Sequence, residues 1–578
     1  MADKNTPDYW IDLSERRLKD VKDWRSMKIE KQWTINWAWY KGQHNLKYDT
    51  QAKRLVWDED DPLKFYVNLI YSTVRAVVAA STKDQPEWEV DARPYGTLKE
   101  EQTRALSYFL EGEWQRMEMK SKVKDLLKYG LIYGMGVFEY GFDADDEDGQ
   151  LWVKTLDPFD TYIDPLTTDR ELKDCRYVIK TVRRSLDSIR ANEEYDNTDK
   201  ISPDNAVAES EWKRKAVLQD FGTETMGSQK STESVILKES YFREKDGIRI
   251  VTTAGGRLLR NESPKETGLK EFPFCVYFAD YNPGQIYSEG WVKNLVPINR
   301  AINAIERSIL EFNTIMSKGK YITDTRSNVK MITNDNGVIV RKSPGSLFEQ
   351  MKIEPMSSTP FNQLENLKEY MKEVGASNEA FMGATPTGIK AARAIELLVA
   401  NNMNNLADLI DNLEIVLQNL GTKLLEVGYD KFVTSKEFKV KTQGSEVKIG
   451  KIIGGKYKAG PNTIQIPKRP EVRVRVISGV IHTKEARIDM YNTLRLQGDL
   501  DRRTLLEEME LPADEIELRL EEENQGMPIS SDAEEAAMQK EKDIEAQLAA
   551  ERMMPQDVAM QDVGVPPVDY GVPEGMAL

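Results

Sequence analysis

The sequence predicts an α+β fold built from several domains. Two observations carry that expectation. Apolar residues recur at helical spacing in some segments and alternate at period two in others, and the two patterns come in separate blocks rather than in a regular strand–helix–strand alternation. The chain has 578 residues, which at roughly 100–200 residues per domain allows two to four domains and a sizeable core. A composition of 40% apolar and 30% charged residues fits a soluble protein with a large wetted surface.

Taken in order, residues 8–58 read as helical and are rich in tryptophan: Trp10, Trp24, Trp33, Trp37, Trp39 and Trp57. Trp33, Trp37 and Tyr40 fall on one helical face, and Gly42 breaks the helix. Such a face predicts core or subunit contact, with stacking on single-stranded nucleic acid as the sharper alternative. Residues 68–81 form a second apolar helix, residues 86–90 a short strand and residues 98–129 a long charged helix. Gly130, Gly134 and Gly136 then punctuate a change to strands at 137–140 and 151–153, followed by strands at 176–183, 235–243, 248–253 and 273–279, with a polar loop at 195–232. After Pro297, Ile298, Ile302, Ile305, Ile309, Phe312 and Met316 step by 4, 3, 4, 3 and 4, a helical stripe whose 21 residues span about 31 Å. Short strands with an Asn336-Gly337 turn follow. Ser358-Thr359-Pro360 starts another helix with Pro in its first turn, which runs to Gly375. The longest helix is expected over 389–427, with strands at 439–441, 463–466 and 472–476 and helices at 484–496, 501–509 and 513–523. No internal repeat is present.

Composition excludes several functions. His44 and His482 are the only imidazoles and Cys175 and Cys275 the only thiols, so zinc-protease motifs, most His-dependent triads and a disulfide framework are out, and a reducing compartment is expected. The N-terminus carries no apolar signal segment and no run of about 18 apolar residues exists, so the expectation is a chain made in the cytosol with no membrane partner. With 80 Lys+Arg against 96 Asp+Glu the net charge is −16, which argues against nonspecific coating of nucleic acid. The charge is uneven. Residues 526–578 hold 11 acids and 3 bases, residues 435–475 hold 11 bases and 3 acids, and residues 318–352 hold 7 bases and 3 acids. The basic zones suit local contact with an anion, or strand edges blunted by lysine.

Three motifs fall short of catalysis. Gly383-Ala-Thr-Pro-Thr-Gly388-Ile389-Lys390 misses a phosphate loop, because Ile389 separates the second glycine from the lysine and Ala391 follows it. The acidic run 143–149 lacks the glycine and the bidentate glutamate of a calcium loop, which leaves an acidic hairpin turn. Asp157, Asp160 and Asp164 could be drawn as a carboxylate set for metal-assisted phosphoryl transfer, although Asp-Pro pairs at strand ends are commoner as turn makers. No cofactor, resident metal or catalytic residue is expected.

In this order the segments resemble a portal protein, the head-to-tail connector of a tailed bacteriophage. Trp37-Ala-Trp-Tyr40-Lys-Gly42-Gln43 is similar to the family's early helix. Asn68-Leu-Ile-Tyr-Ser72 with Pro86-Glu-Trp88 resembles its next helix and strand. Tyr129-Gly130, Gly134 and Gly136 with Leu156-Asp-Pro158 and Ile163-Asp164-Pro165 resemble its wing, Val374-Gly375-Ala376 through Gly383 the loop before its long helix, and residues 482–520 its C-terminal helices. The resemblance implies a wing over 1–287 and 429–480, stem helices at 288–318 and 359–376, a clip at 319–358, a tunnel loop at 377–392, a long helix at 393–428, a helical crown at 481–524 and an acidic tail at 525–578. It implies no enzymatic activity but a ring, typically of twelve subunits, at one capsid vertex, with double-stranded DNA passing through its axis without sequence specificity. Implied partners are terminase, head–tail adaptor and tail proteins, the major capsid protein and a scaffolding protein. Thr385, Thr387, Lys390 and Arg393 are then expected at the channel constriction. Lys318, Lys320, Arg326, Lys330, Arg341 and Lys342 are expected to serve partners or DNA at the clip, and Ile298, Ile302, Ile305 and Ile309 to pack between subunits. The alternatives are a metal-dependent phage nuclease built on Asp157, Asp160 and Asp164, or another phage neck or baseplate protein.

Overall fold

The computed structural model describes residues 6–49, 54–57, 65–82, 86–91, 100–144, 149–203, 233–317, 321–324, 344–345, 347–350, 355–376, 406–441, 447–458, 460, 463–468 and 471–475. All of them fall in one of the chain's two compact units, that of residues 1–442 and 446–483. No helix among them is long and apolar enough to cross a membrane.

Helix α1 (Pro7–Lys28) starts on a proline, and α2 (Glu30–Tyr40) follows after a break at Ile29. Trp33 and Tyr40 are buried and Trp37 is partly covered, so the tryptophan face is core, and Trp33 meets the rings of Tyr133, Phe159 and Tyr287. The helix ends at Tyr40, at the break expected from Gly42, but the described residues beyond it, read as helical through 58, include two strands. Gly42 (φ +81°) turns the chain out of it, and Leu46–Asp49 (β1) pairs antiparallel with Arg54–Trp57 (β2). Leu46 and Tyr48 alternate with polar residues, a period that belongs to a strand.

Arg25, on α1, is wholly buried. It pairs with Glu30 at 2.9 Å and donates to the carbonyls of Pro158, Phe159 and Thr161 at 3.2, 3.0 and 2.9 Å. Its guanidinium lies 4.5 Å from the ring centre of Tyr162 and 5.2 Å from that of Trp33. A buried charge is tolerated only when its donors are filled, and this one clasps both N-terminal helices to the segment around residue 160.

Helix α3 (Leu69–Ser81) is capped by the side chain of Asn68, and β3 (Glu87–Asp91) follows. The helix expected over 98–129 is two helices, α4 (Glu100–Arg116) and α5 (Met119–Tyr133), separated by Glu118 in the left-handed region (φ 51°). Met117 and Met119 are both buried. In an unbroken helix residues two apart lie on nearly opposite sides, so the break lets both reach the core. Gly130 sits inside α5, and Gly134 (φ +87°) ends it where an added Cβ would stand 2.6 Å from Ser288 Cβ.

Two antiparallel sheets follow. One has strand order β11-β4-β5, made by Met135–Asp143 (β4), Gln150–Leu156 (β5) and Phe274–Phe278 (β11). The other is a five-stranded meander of Thr161–Ile163 (β6), Tyr177–Ser185 (β7), Ser234–Glu244 (β8), Gly247–Ala254 (β9) and Arg257–Glu262 (β10), with the short helix α6 (Leu186–Arg190) after β7. Strands β6 and β10 escape the sequence reading. The first is three residues long, and the second has its alternation broken by a register shift between Leu258 and Arg260. Between the sheets, Lys180 is buried against Glu139 and pairs with Glu239 at 2.8 Å, while the Tyr241 hydroxyl donates to Glu139 at 3.2 Å. Burial alone would lower the Lys180 pKa, but the two carboxylates outweigh it and the net shift is upward.

The described part of the long helix, α9 (Ala407–Lys431), ends four residues beyond the 389–427 read from the apolar pattern and three beyond the 393–428 that the resemblance implies, and residues 389–405 lie outside the described residues. It packs over β4, β11 and Glu471–Arg475 (β17), and Trp88 donates to Leu417 O at 2.9 Å. Strand β17 pairs with β3 across almost the whole unit. Lys436–Lys441 (β14), Val447–Ile453 (β15) and Thr463–Gln465 (β16) form a further sheet in which β15 and β16 run parallel. The sequence reading missed β15.

Lys180→Met removes the only cation among the described groups that hold Glu139. We expect a loss of about 3–5 kcal/mol, the cost of leaving a buried carboxylate unpaired, measured by urea denaturation. Glu139→Leu combined with Lys180→Met should recover at least half of it.

Candidate functional site

The stripe after Pro297 folds as α7 (Val296–Ser317). Beyond it, Tyr321–Thr323 (β12) pairs antiparallel with Phe348–Gln350 (β13), and Ser358 and Pro360 start α8 (Thr359–Val374). The paired strands bring the end of α7 beside the start of α8. Lys368 on α8 reaches Glu306 on α7 at 3.3 Å, so the two helices run antiparallel as the arms of one helix–strand–helix unit. The first arm, expected over 288–318, is shorter at its start. Residues 291–294 form a 3-10 turn, and Gly290 (φ +89°) packs where a Cβ would overlap the Ile132 carbonyl.

The isoleucine stripe faces the chain's own interior. Ile302 and Ile309 are buried and Ile298 and Ile305 are partly covered against the main core. Of these, a neighbouring subunit could reach only Ile298 and Ile305. Helix α8 is covered along a narrow stripe at Leu364, Leu367 and Met371 and leaves Phe361, Tyr370 and Val374 exposed by 45, 54 and 43%.

The root of the unit is held by polar side chains within the apolar stripe. Asn299 and Asn303 lie one turn apart on α7 and are buried. Asn299 accepts from Leu69 N at 3.1 Å and donates to Val67 O at 2.8 Å. Asn303 accepts from Val67 N at 2.9 Å and meets His44 Nδ1 at 2.9 Å. The other imidazole nitrogen, Nε2, is 3.0 Å from Trp39 O. A carbonyl only accepts, so Nε2 carries the proton and Nδ1 accepts from Asn303. This neutral tautomer satisfies all four groups. Burial pushes the His44 pKa down to about 4, against a smaller upward pull from the Trp39 carbonyl. On the other side, Trp33 donates to Ser288 O and Asn36 to Ile132 O and Glu289 O, each at 2.8 Å. The sequence reading missed this set. Its signal was two asparagines at i, i+4 inside an apolar helix, where asparagine is disfavoured unless its amide has partners.

Thr385, Thr387, Lys390 and Arg393 lie outside the described residues, as do Lys318, Lys320, Arg326, Lys330, Arg341 and Lys342. The glycine-rich run 383–390, the Asn336-Gly337 turn, the C-terminal helices and the acidic tail also lie outside them. Of the three aspartates, Asp157 accepts from Phe159 N at 2.9 Å and caps a 3-10 turn. Asp164 is buried and holds Arg176 through contacts of 2.5 and 2.9 Å. Both act as turn makers here, and among the described residues no group of three or more His, Cys, Asp or Glu is arranged to hold a metal ion. Asp143 on β4 pairs with Gln150 on β5, and residues 145–148 of the acidic run lie outside the described residues.

The His44 geometry sets a pH response. Its folded pKa lies below the ordinary 6.5, so the unfolded chain takes up the proton first and stability falls as pH drops from about 6.5 toward 4. At pH 4.5 the expected loss from this group is about 2–3 kcal/mol relative to pH 7. His44→Gln should remove that share of the pH dependence, read as the change in urea midpoint between the two pH values.

No curated protein matches the chain. Among solved structures, a chain described as "Neck of empty GTA particle computed with C6 symmetry" is similar at 9% identity, covering 76% of this chain and 89% of that one with a TM-score of 0.37. Residues 31–563 match the family described as phage P22-like portal protein. That match spans nearly the whole sequence, including the helix–strand–helix unit and its polar anchor, and the chain belongs to the phage P22-like portal protein family.

Proposed function

We propose that the protein is the portal of a phage particle, a ring of about twelve subunits whose axis conducts double-stranded DNA during packaging and ejection. The observation that carries this reading is the family match over residues 31–563. The helix–strand–helix unit supports it. In this reading α7 and α8 are the stem, residues 319–358 the clip that docks terminase and later the adaptor and tail proteins, residues 377–392 the tunnel loop with Thr385, Thr387, Lys390 and Arg393 near the constriction, and residues 481–524 the crown. The wing comprises 1–287 and 429–480, and the ring sits at a unique vertex in contact with capsid and scaffolding protein.

The charge balance suits a conduit. Each fixed lysine–phosphate pair adds a counterion-release term that favours holding the duplex still. A chain of net charge −16 whose net-basic zones are short lets DNA slide, with contacts to phosphates and not to bases.

A closed ring requires a heterologous interface, one surface of each subunit meeting a different surface of the next. Helix α8 offers two such surfaces. Phe361 and Tyr370 are nine positions apart, which at 100° per residue places them on opposite sides of the helix, and both are exposed.

The test is mass photometry and negative-stain microscopy of the purified chain, with rings of about a dozen subunits and a central hole expected. Subunits that stay monomeric alone and also fail to enter rings during capsid assembly would overturn the reading. Tyr370→Glu with Val374→Glu should shift the mass from ring to monomer while the melting curve stays within about 0.5 kcal/mol of the parent, as for surface changes in general. Rings of unchanged mass would remove this flank of α8 from the interface.

A further inference from the structure

A surface outside the clip and tunnel segments collects cations on aromatic rings where α2, α3 and α7 meet. Lys41 Nζ lies 4.8 Å from the ring centre of Trp37 and 5.7 Å from that of Tyr40. Tyr40 touches Tyr71 at 5.4 Å between ring centres, and Arg75 lies 5.5 Å from the Tyr71 ring. On the α7 side Arg300 lies 5.4 Å from the ring of Trp39, which stacks on His44 at 4.2 Å, and His44 meets Tyr66 beneath Arg307. Lys41, Arg75 and Arg300 are exposed. Some cations elsewhere, such as Lys423, Lys451, Lys456 and Arg260, are paired with carboxylates, whereas exposed Lys19, Lys120 and Lys245 carry no such pair and rest on no ring among the described residues. Among the described residues, no carboxylate lies within ion-pair distance of Lys41, Arg75 or Arg300. The three charges are exposed and unneutralised, so they are available to an anion.

The cations rest on these rings at 4.8–5.7 Å from the ring centres. A cation resting on a ring keeps part of its N–H donors pointing outward and loses rotamer freedom before any ligand arrives. An ammonium and two guanidinium groups fixed in this way suit a row of phosphates. We propose that this surface binds the sugar–phosphate backbone of duplex DNA, without base contacts, at a place distinct from the clip and the tunnel loop. The proposal rests on the charge and geometry of this surface and does not require the chain to form a ring.

The experiment is fluorescence anisotropy of a labelled 30-base-pair duplex with the full-length chain across a salt series. Each phosphate contact contributes about 0.9 to the slope of log K against log salt. Lys41→Gln, Arg75→Gln and Arg300→Gln together should therefore lower that slope by about 2–3 and weaken binding on the order of a hundredfold at low salt. Each single variant should lower the slope by about 0.9, which keeps the test informative if the triple variant folds poorly. Lys19→Gln, Lys120→Gln and Lys245→Gln together, exposed lysines outside the basic zones, should leave the slope unchanged. No binding by the parent chain, or equal slopes for the parent and the surface variants, would overturn the proposal. So would displacement of the duplex by polyglutamate at equal charge concentration, since that outcome assigns the surface to an acidic protein segment. Because binding is read separately from particle mass, failure here leaves the portal reading standing, and absence of rings leaves this one standing.

Discussion

The burial of a full guanidinium at Arg25 is the constraint around which the N-terminal half is arranged. An isolated charge in the interior costs several kcal/mol even after relaxation, so the fold must supply partners for it. It supplies one carboxylate from the start of α2, three carbonyls from the segment 158–161 and the faces of Tyr162 and Trp33. Those partners come from positions more than 130 residues apart, which ties the tryptophan-rich helices to the sheets. The same tie places Trp33 and Asn36 against residues 288–289, so the turn that launches α7 is held by the helices that Arg25 holds.

The polar ladder of Asn299, Asn303 and His44 then determines where α7 leaves the body. An apolar stripe alone would allow the helix to slide or rotate, because hydrophobic contact is nondirectional. Two amides bonded to the main chain at Val67 and Leu69 fix both its register and its rotation, and any displacement would strand buried donors at a cost of about 1–3 kcal/mol each. Helix α8 has no comparable polar anchor among the described residues and is held mainly by its narrow apolar stripe and by Lys368. The helix–strand–helix unit is therefore rigid at its first arm and open on the flanks of its second. That arrangement suits a unit completed by neighbours of the same kind.

Charge is distributed to the same end. Within the body, buried ions occur in closed sets such as Glu139, Lys180 and Glu239 with Tyr241, where each member has partners. The exposed cations at the junction of α2, α3 and α7 rest on rings instead of carboxylates, which leaves them available to phosphate.

Much of this architecture was legible in the chain itself. The 3.6-residue stripe of α7, the Ser-Thr-Pro start of α8 and the period-two runs of β4, β7, β8 and β9 are local signals that need no tertiary context. So was the order of segments that resembles the portal family, because order survives where single motifs are weak. Local pattern was insufficient wherever distant residues compete for the same core. The split between α4 and α5 depends on both Met117 and Met119 reaching the interior, β15 depends on partners β14 and β16, and the β3–β17 pairing joins segments nearly 400 positions apart. The roles of Arg25, His44, Asn299 and Asn303 were hidden for the same reason. A single charged or amide side chain carries no period, and its meaning appears only when the fold brings the carbonyls and amides that fill it.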